Sequence, residues 1–209
     1  MKMVFLGPPG AGKGTLAALA SGRMGLPHIS TGDLFRAAIK DGSELGKKVK
    51  GILDEGSLVP DALTIALVEE RLSQNDAQRG WILDGFPRTT GQAEALAGIS
   101  DPEWVINFDV EDSVILKRLT GRRICSGCGK IYHIESMPPS VEGVCDACGA
   151  GLYTRPDDSQ ESIRTRLSAY RSQTAPLVEW YGGKGKLLTI DGTGAPERVY
   201  ERFMEAIKA

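Results

Sequence analysis

A glycine-rich stretch near the start of the chain constrains the fold more than any other feature of the sequence. Residues 7–15 read Gly-Pro-Pro-Gly-Ala-Gly-Lys-Gly-Thr, between an apolar run, Met3–Leu6, and a helical pattern, Leu16–Met24. A strand, a glycine-rich loop and a helix in this order are typical of a phosphate-binding loop, whereas an ordinary glycine-rich turn requires neither flanking element. The glycines let backbone N–H groups converge on phosphate oxygens, and the helix N-terminus adds its positive end. The stretch therefore predicts binding of a nucleoside triphosphate.

One position in this loop departs from the usual pattern. Gly14 follows Lys13 where a serine or threonine is common, and the hydroxyl of Thr15 comes one residue later. Lys13 would bring a mobile positive charge to the outer phosphates. We expect Mg²⁺ to be held mainly by phosphates and water, with carboxylates in its outer shell.

Composition limits the size and the partners of the protein. The chain has 209 residues, a formal net charge of −2 and 41% hydrophobic residues, which fits one well-cored domain with or without small lobes. The small net charge predicts no nucleic-acid or membrane partner. The apolar segment at the N-terminus is too short for a signal peptide, and no run is long enough for a membrane span. We therefore expect a cytoplasmic protein whose four cysteines are reduced or metal-bound.

Apolar runs alternate with helical patterns along most of the chain. The expected strands are Met3–Leu6, His28–Ile29, Trp81–Leu83, Val105–Phe108 and Leu187–Ile190. The expected helices are Leu16–Met24, Asp33–Lys40, Glu44–Asp54, Asp61–Ser73, Thr90–Leu96, Asp112–Thr120, Ser159–Tyr170 with Asp158 as its cap, and Pro196–Ala206. We expect Pro176 to kink or end the helix before it. The alternation predicts an α/β fold, a doubly wound five-stranded parallel sheet with the phosphate loop after its first strand.

Two segments interrupt the alternation and are predicted to be inserted lobes. Residues 31–59 hold two helical patterns and no strand, and residues 121–158 hold turns, short β-like pieces and all four cysteines. We therefore assign residues 1–29, 60–120 and 159–209 to the nucleotide-binding core, with lobes at 30–59 and 121–158.

The cysteines form two Cys-x-x-Cys pairs, each followed by a glycine. The pairs are Cys125 with Cys128 and Cys145 with Cys148. This spacing favours a structural zinc site, because four thiolates leave no open coordination position. Two disulfides or free thiols are the alternatives.

Acidic and basic side chains follow two of the predicted strands. Asp84 ends the strand at 81–83, Arg88 follows it, and Asp33 and Arg36 follow the strand at 28–29. The carboxyl ends of parallel strands face the ligand crevice, so Asp84 and Asp33 are candidates for ordering magnesium-bound water. Arg88 suits bidentate binding of phosphate. Asp33 as a plain helix cap and Arg88 on a surface turn remain open.

More arginines lie in and near residues 121–158, which we call the cysteine lobe. Transfer between two phosphorylated nucleotides requires several positive groups, and candidates are Arg118, Arg122, Arg123, Arg155, Arg164 and Arg166. Arg164 and Arg166 are two residues apart and cannot share one helix face, so at most one enters a site. His28 and His133 belong to no catalytic motif, and we expect structural roles for both.

Taken together, the motifs resemble those of bacterial adenylate kinases of the long-lid, four-cysteine form over the whole chain. The resemblance rests on residues 7–15, Ser30-Thr-Gly-Asp-Leu-Phe-Arg36, Asp84-Gly-Phe-Pro-Arg-Thr89, Gly121-Arg-Arg123, Arg155-Pro-Asp-Asp158 and Asp191-Gly-Thr193. It implies transfer of a phosphoryl group from MgATP to AMP to give two ADP, in the form of the family that carries structural Zn²⁺. We expect a monomer, because the sequence has no long apolar heptad or stripe that would suggest association. The lobe at 30–59 would bind AMP, and 121–158 would be the lid over ATP.

The resemblance also implies site residues, matched position by position. Catalytic roles fall on Lys13, Arg88, Arg122, Arg155 and Arg166. ATP contacts fall on Gly10, Ala11, Gly12, Lys13, Gly14, Thr15, Arg118, Arg122, Tyr132 and the backbone near Gly194. AMP contacts fall on Thr31, Arg36, Ser57, Val59, Gly85, Arg88, Gln92, Arg155 and Arg166. Asp33 and Asp84 would order magnesium water, Asp157 and Asp158 would lie on the closing lid, and Cys125, Cys128, Cys145 and Cys148 would hold zinc.

Two other functions are compatible with parts of the pattern. A kinase for CMP, UMP or GMP would share the phosphate loop and the arginines. A zinc-knuckle protein that uses the loop as a nucleotide switch on nucleic acid would share the cysteines, but the net charge of −2 disfavours it.

Overall fold

A five-stranded parallel sheet forms the centre of the molecule. The computed structural model describes residues 1–208. The strands are β1 (Lys2–Leu6), β2 (His28–Ser30), β3 (Trp81–Asp84), β4 (Trp104–Asp109) and, last along the chain, β8 (Leu187–Asp191). Their order is β2-β3-β1-β4-β8, and every neighbouring pair is parallel. The predicted doubly wound sheet is confirmed, and each strand is one residue longer than expected at one or both ends.

Helices cover both faces of this sheet. They are α1 (Lys13–Met24), α2 (Thr31–Lys40), α3 (Glu44–Asp54), α4 (Asp61–Leu72), α5 (Thr90–Ser100), α6 (Asp112–Thr120), α7 (Gln160–Ala169), α8 (Pro176–Gly182) and α9 (Pro196–Ala206). Met3 and Phe5 pack with α1 and α9 on one face, and Val4 and Leu6 pack with α4, α5 and α8 on the other. Burial on both faces explains why these strands are continuous apolar runs.

The region around α7 corrects two expectations. Asp158 does not cap this helix: Ser159 does, accepting a hydrogen bond from the Ser162 backbone at 3.1 Å. Pro176 neither kinks nor ends α7, because α7 gives way to a π-helical turn, Tyr170–Thr174, and Pro176 then begins α8. A proline fits a first helical position because its missing N–H has no partner there.

The two predicted insertions have separate structures. Helices α2 and α3 pack on each other around Phe35, Val49 and Val59. Strands β5 (Arg122–Cys125), β6 (Ile131–His133) and β7 (Leu152–Tyr153) form an antiparallel sheet in the order β6-β5-β7. Within residues 1–208, no helix has the length and apolar character of a membrane span.

Candidate active site

The loop between β1 and α1 presents unpaired backbone donors to the crevice. Gly10 and Gly12 have φ of +83° and +100°, and Gly12 begins α1 without a side-chain cap. Lys13 Nζ donates to the carbonyls of Gly7 and Pro8, at 2.7 and 2.8 Å. Burial lowers the pKa of Lys13 to about 8, against the opposing effect of Asp84. Backbone N–H groups and one buried ammonium thus converge as a phosphate site requires.

Asp84 explains the glycine at position 14. A Cβ on Gly14 would lie 3.3 Å from Asp84 Oδ2 and 3.7 Å from Ile131 Cδ1, so a carboxylate occupies the space that a serine or threonine would use. His28 Nε2 lies 3.8 Å from the same Oδ2. Burial opposes ionisation of Asp84, but His28 and Lys13 outweigh it and hold the pKa of this carboxyl below its ordinary value. His28 is therefore a neighbour of the site that no sequence motif marked.

Gly85 brings Thr31 and Arg88 together beneath this carboxylate. Its carbonyl accepts from Thr31 Oγ1 at 2.9 Å and from Arg88 Nε at 2.8 Å. Gly85 has φ +80°, and a Cβ there would lie 2.9 Å from both the Arg88 guanidinium and the Thr31 hydroxyl. Thr174, near the end of the π-helical turn, donates to the Arg88 carbonyl at 2.8 Å.

Gln92 is buried with its amide held at both ends. Its Oε1 accepts from the Arg88 backbone at 2.8 Å, and its Nε2 donates to Asp61 Oδ1 at 2.7 Å. Thr89 Oγ1 donates to the other Asp61 oxygen at 2.6 Å. Because an ionised carboxylate only accepts, Asp61 determines which end of the amide carries the N–H groups. One donor and one acceptor position of Gln92 remain for a ligand. Asp61 was not predicted, since it follows Pro60 as an ordinary first-turn residue.

Asp158 joins two of the predicted catalytic arginines. Arg122 donates to both of its oxygens, at 2.8 and 2.5 Å, and Arg166 donates to Oδ1 at 3.1 Å. The Asp158 side chain has no exposed surface. Asp157 adds a weaker contact with Arg166, at 3.2 Å. The charges of Arg88, Arg122 and Arg166 each contribute to lowering the pKa of Lys13, which is consistent with their lying near the phosphate loop.

The Asp33 carboxylate contacts a different pair of arginines, Arg36 and Arg155. Asp33 accepts from Arg36 at 2.6 Å and lies 3.6 Å from Arg155, so it links the α2–α3 lobe to the cysteine lobe. Burial and then the charges of Arg36 and Arg122 lower the pKa of Arg155 to about 10. The Asp33 carboxylate is therefore engaged by arginines, and its ordering of magnesium water stays a prediction.

The other candidate arginines lie outside this group. Arg118 donates to the carbonyls of Ala11 and Gly192, both at 3.0 Å, and so links α6 to the phosphate loop. Arg123 Nη1 instead donates to the Arg122 carbonyl at 2.7 Å. Arg164 lines a surface groove with Leu167. Of the adjacent residues Arg122 and Arg123, only Arg122 bonds Asp158, and its catalytic role stays a prediction.

Four predicted nucleotide contacts remain: two for AMP, Ser57 and Val59, and two for ATP, Tyr132 and Gly194. Val59 is buried in the α2–α3 cluster, and the Ser57 backbone closes the end of α3 on the Ile52 carbonyl at 3.0 Å. Gly194 follows β8 with φ +93°. The Tyr132 hydroxyl faces the cysteine lobe, where it accepts from the Asp146 backbone at 2.8 Å. The predicted ATP contact of Tyr132 stays a prediction.

The four cysteine sulfurs form a compact cluster that fits a tetrahedral metal. All four lie within 4.8 Å of one another, and the closest pairs are 3.4 and 3.6 Å apart. Zn–S bonds of about 2.3 Å place the sulfurs of a tetrahedron roughly 3.8 Å apart. Backbone N–H groups of Gly127 and Ala147 point at two of the sulfurs, and a hydrogen bond from Tyr132 lowers the pKa of Cys145 to about 6. Donors aimed at sulfur favour thiolates, as zinc ligation requires.

Comparison with known proteins gives one consistent family. The model of the adenylate kinase family matches residues 5–186. Proteins named adenylate kinase are similar along essentially the whole chain. The one from Treponema denticola is 56% identical over 203 residues, 97% of either chain. Those from Carboxydothermus hydrogenoformans and Thermosipho africanus are 50% and 49% identical, and each alignment covers all of both chains.

Proposed function

The chain belongs to the adenylate kinase family, and we propose that the crevice transfers the γ-phosphoryl group of MgATP to AMP, giving two ADP. The observation that carries the proposal is the group of cations at the loop before α1: Lys13 lies on that loop, and Arg122 and Arg166 share the buried Asp158 close enough for their charges to act on Lys13, as does the charge of Arg88. Two phosphate chains brought together carry several negative charges, and this group of cations offsets their repulsion.

The two sides of the crevice supply the two nucleotide sites. We assign the ATP phosphates to the backbone of residues 10–15 and to Lys13, whose ammonium would exchange its present carbonyl partners for phosphate oxygens. We assign the AMP phosphate to Arg36, Arg88 and Arg155, and its base to the pocket of Thr31, Gly85 and Gln92. The remaining donor and acceptor of the Gln92 amide match the N1 acceptor and N6 donor of adenine.

The transfer requires no covalent intermediate and no general base. The phosphate of AMP is largely ionised near neutral pH, so its oxygen attacks the γ-phosphorus directly and in line. The chain's residues contribute position and positive charge, which is the usual basis of phosphoryl-transfer catalysis. Mg²⁺ bound with ATP would supply further positive charge to the phosphates, and Asp84 would help to order the water around that ion.

Closure of the lobes over the crevice would exclude water, the competing nucleophile. We propose residues 121–158 as the lid, 30–59 as the AMP lobe and Gly121 as a hinge. A contact between these two parts supports the proposal: Arg155 of the proposed lid lies 3.6 Å from Asp33 of the proposed AMP lobe. Structural Zn²⁺ in the cysteine cluster would make the lid rigid. We further propose a cytoplasmic monomer acting on free nucleotides without a nucleic-acid partner.

An acceptor comparison tests this function. Purified protein with MgATP receives AMP, CMP, UMP, GMP or no acceptor, and products are followed by phosphorus NMR. We expect two ADP for each AMP consumed and little phosphate release without acceptor. Preference for another monophosphate would contradict the Thr31 and Gln92 assignment, and ATP hydrolysis independent of any acceptor would contradict two-site transfer. The Arg88→Ala variant controls for a contaminating kinase.

A further inference from the structure

The loop that follows β8, residues 191–194, is held by two arginines from opposite sides. Arg118 of α6 donates to the Gly192 carbonyl at 3.0 Å. Arg202 of α9 donates to the carbonyls of Asp191 and Thr193, at 2.9 and 2.8 Å. Two guanidinium groups therefore occupy three successive backbone carbonyls.

Further polar groups of Asp191, Gly192 and Thr193 are also hydrogen-bonded. Asp191 Oδ1 accepts from the Thr193 backbone at 2.8 Å and from its hydroxyl at 2.6 Å, and Oδ2 lies 3.0 Å from Arg202 Nη1. The Gly192 backbone donates to the Asp109 carbonyl at 3.0 Å. A Cβ on Gly192 would lie 3.2 Å from the Ala11 carbonyl, so the loop rests against the phosphate loop.

The hydrogen bonds that hold residues 191–193 do not extend to Gly194. It has φ +93°, and no atom lies within 4 Å of where its Cβ would be. Within the described residues 1–208, its carbonyl is the first in the loop with no hydrogen bond. The peptide plane before Gly194 includes the Thr193 carbonyl, so the bond from Arg202 sets the direction in which the Gly194 backbone continues.

We propose that Arg202 is a positioning residue that fixes the backbone of residues 191–194 and thereby sets the preference for adenine over guanine in the phosphoryl donor. The inference rests on the proposed function together with the ATP contact that the sequence resemblance implies for the backbone near Gly194, which we take to be a contact with the base. Adenine presents an amino donor at C6, and guanine presents a carbonyl acceptor there. A fixed backbone carbonyl pairs with the first and repels the second, whereas a mobile loop can turn an N–H toward guanine.

The same geometry separates this role from a general stabilising one. The side chains of Arg202 and Asp191 are 39% and 52% exposed, and exposed ion pairs of this kind contribute little to folding. The effect of removing Arg202 should therefore be seen in donor binding. Arg198 is a matched control, because it lies one turn earlier on α9, is 74% exposed and contacts Glu201 instead.

The test measures kcat and KM for ATP and for GTP, each with saturating AMP, and KM for AMP with saturating ATP. For Arg202→Met we expect a rise in KM for ATP and a fall in the ATP:GTP ratio of kcat/KM of roughly tenfold, the scale of one misplaced hydrogen bond. The kcat with ATP and the KM for AMP should change less than about twofold. Both carbonyls are bonded by the same atom, Arg202 Nη1, so Arg202→Lys keeps a charged nitrogen donor but loses the planar guanidinium that orients it, and its ratio should be intermediate. Arg198→Met should match the wild type.

Each outcome decides a separate point. Unchanged donor selectivity in Arg202→Met would overturn the inference, and so would a loss of kcat with every nucleotide together with a lower melting temperature. If Arg202→Met fails to fold, Arg202→Lys and the salt dependence of the wild-type ATP:GTP ratio replace it, because salt screens an exposed pair. A ratio unaffected by both would likewise overturn it. A wild-type protein that makes no ADP from ATP and AMP would refute the proposed function itself.

Discussion

Replacing Asp158 with asparagine tests the arrangement of the arginines directly. The carboxylate has no exposed surface, and both of its oxygens accept from arginine. Asp158→Asn keeps the shape but leaves Arg122 and Arg166 side by side without the charge between them. Breaking a buried ion pair typically costs about 3–5 kcal/mol, and the amide oxygen retains one contact, so we expect about 3 kcal/mol. For a chain of this size that lowers the melting temperature by roughly 6–12 °C.

The assay combines thermal unfolding, followed by circular dichroism, with steady-state ADP formation. We expect kcat/KM to fall at least roughly tenfold as well, because misplaced guanidinium groups no longer meet the transferring phosphoryl group. Asp157→Asn is the matched control: its carboxylate contacts Arg166 at 3.2 Å and is 19% exposed. That variant should lose about 1 kcal/mol or less. Equal melting temperatures for the two variants, or wild-type kinetics in Asp158→Asn, would refute the reasoning.

Four further predictions concern the crevice and the lid. Arg88→Ala should lose about 3 kcal/mol or more of transition-state stabilisation, a drop in kcat/KM of roughly a hundredfold, and near-normal steady-state kinetics would contradict its role. Tyr132→Phe should weaken zinc binding roughly tenfold, as measured by competition with a chelator. The metal-free protein should melt at a lower temperature and remain active at low temperature. Metal-free protein that is folded at low temperature but inactive would contradict a purely structural role of the metal. Gly121→Ala places a Cβ 2.3 Å from the His133 ring, so unfolding should become easier by about 1–3 kcal/mol and kcat should change; unaltered urea midpoint and kcat would argue against a hinge there. Because a lysine is charged below its pKa, kcat/KM for ATP should fall as pH rises through about 8, the pKa of Lys13, and Lys13→Arg should lack that decline.

The parts of the fold that local pattern determines were predictable. The five strands are short apolar runs bounded by turns, and three helices, Glu44–Asp54, Asp112–Thr120 and Pro196–Ala206, begin and end at the expected residues. The phosphate loop is equally local, because its function depends on consecutive backbone groups.

Choices between neighbouring residues were harder to predict. Asp158 and Ser159 are both good helix caps, and the sequence favoured the first. The structure uses Ser159, because two guanidinium groups hold the Asp158 carboxylate more strongly than backbone N–H groups would. The Tyr132 hydroxyl likewise has a partner that the sequence did not indicate, the sulfur of Cys145 at 3.4 Å.

Side-chain contacts between residues that are far apart along the chain have no signature in the sequence. Asp61 bonds Gln92 from 31 residues away, and His28 approaches Asp84 from another strand. Periodicity shows which face of a helix or strand is buried, but it does not show which side chain on another element lies opposite.

Two carboxylates, Asp33 and Asp158, hold the arginines of the crevice in different ways. Asp33, the partner of Arg36 and Arg155, is 59% exposed, so a bound phosphate can displace it at little cost. Asp158 is enclosed and bonds Arg122 through Nε and Nη2, which leaves Nη1 to face a ligand. In the proposed function, the exposed carboxylate would hold cations for the incoming monophosphate, and the buried one would orient cations for the phosphoryl group in transfer. Such orientation before binding is what lets positive charge stabilise the transition state without reorganisation at the moment of reaction.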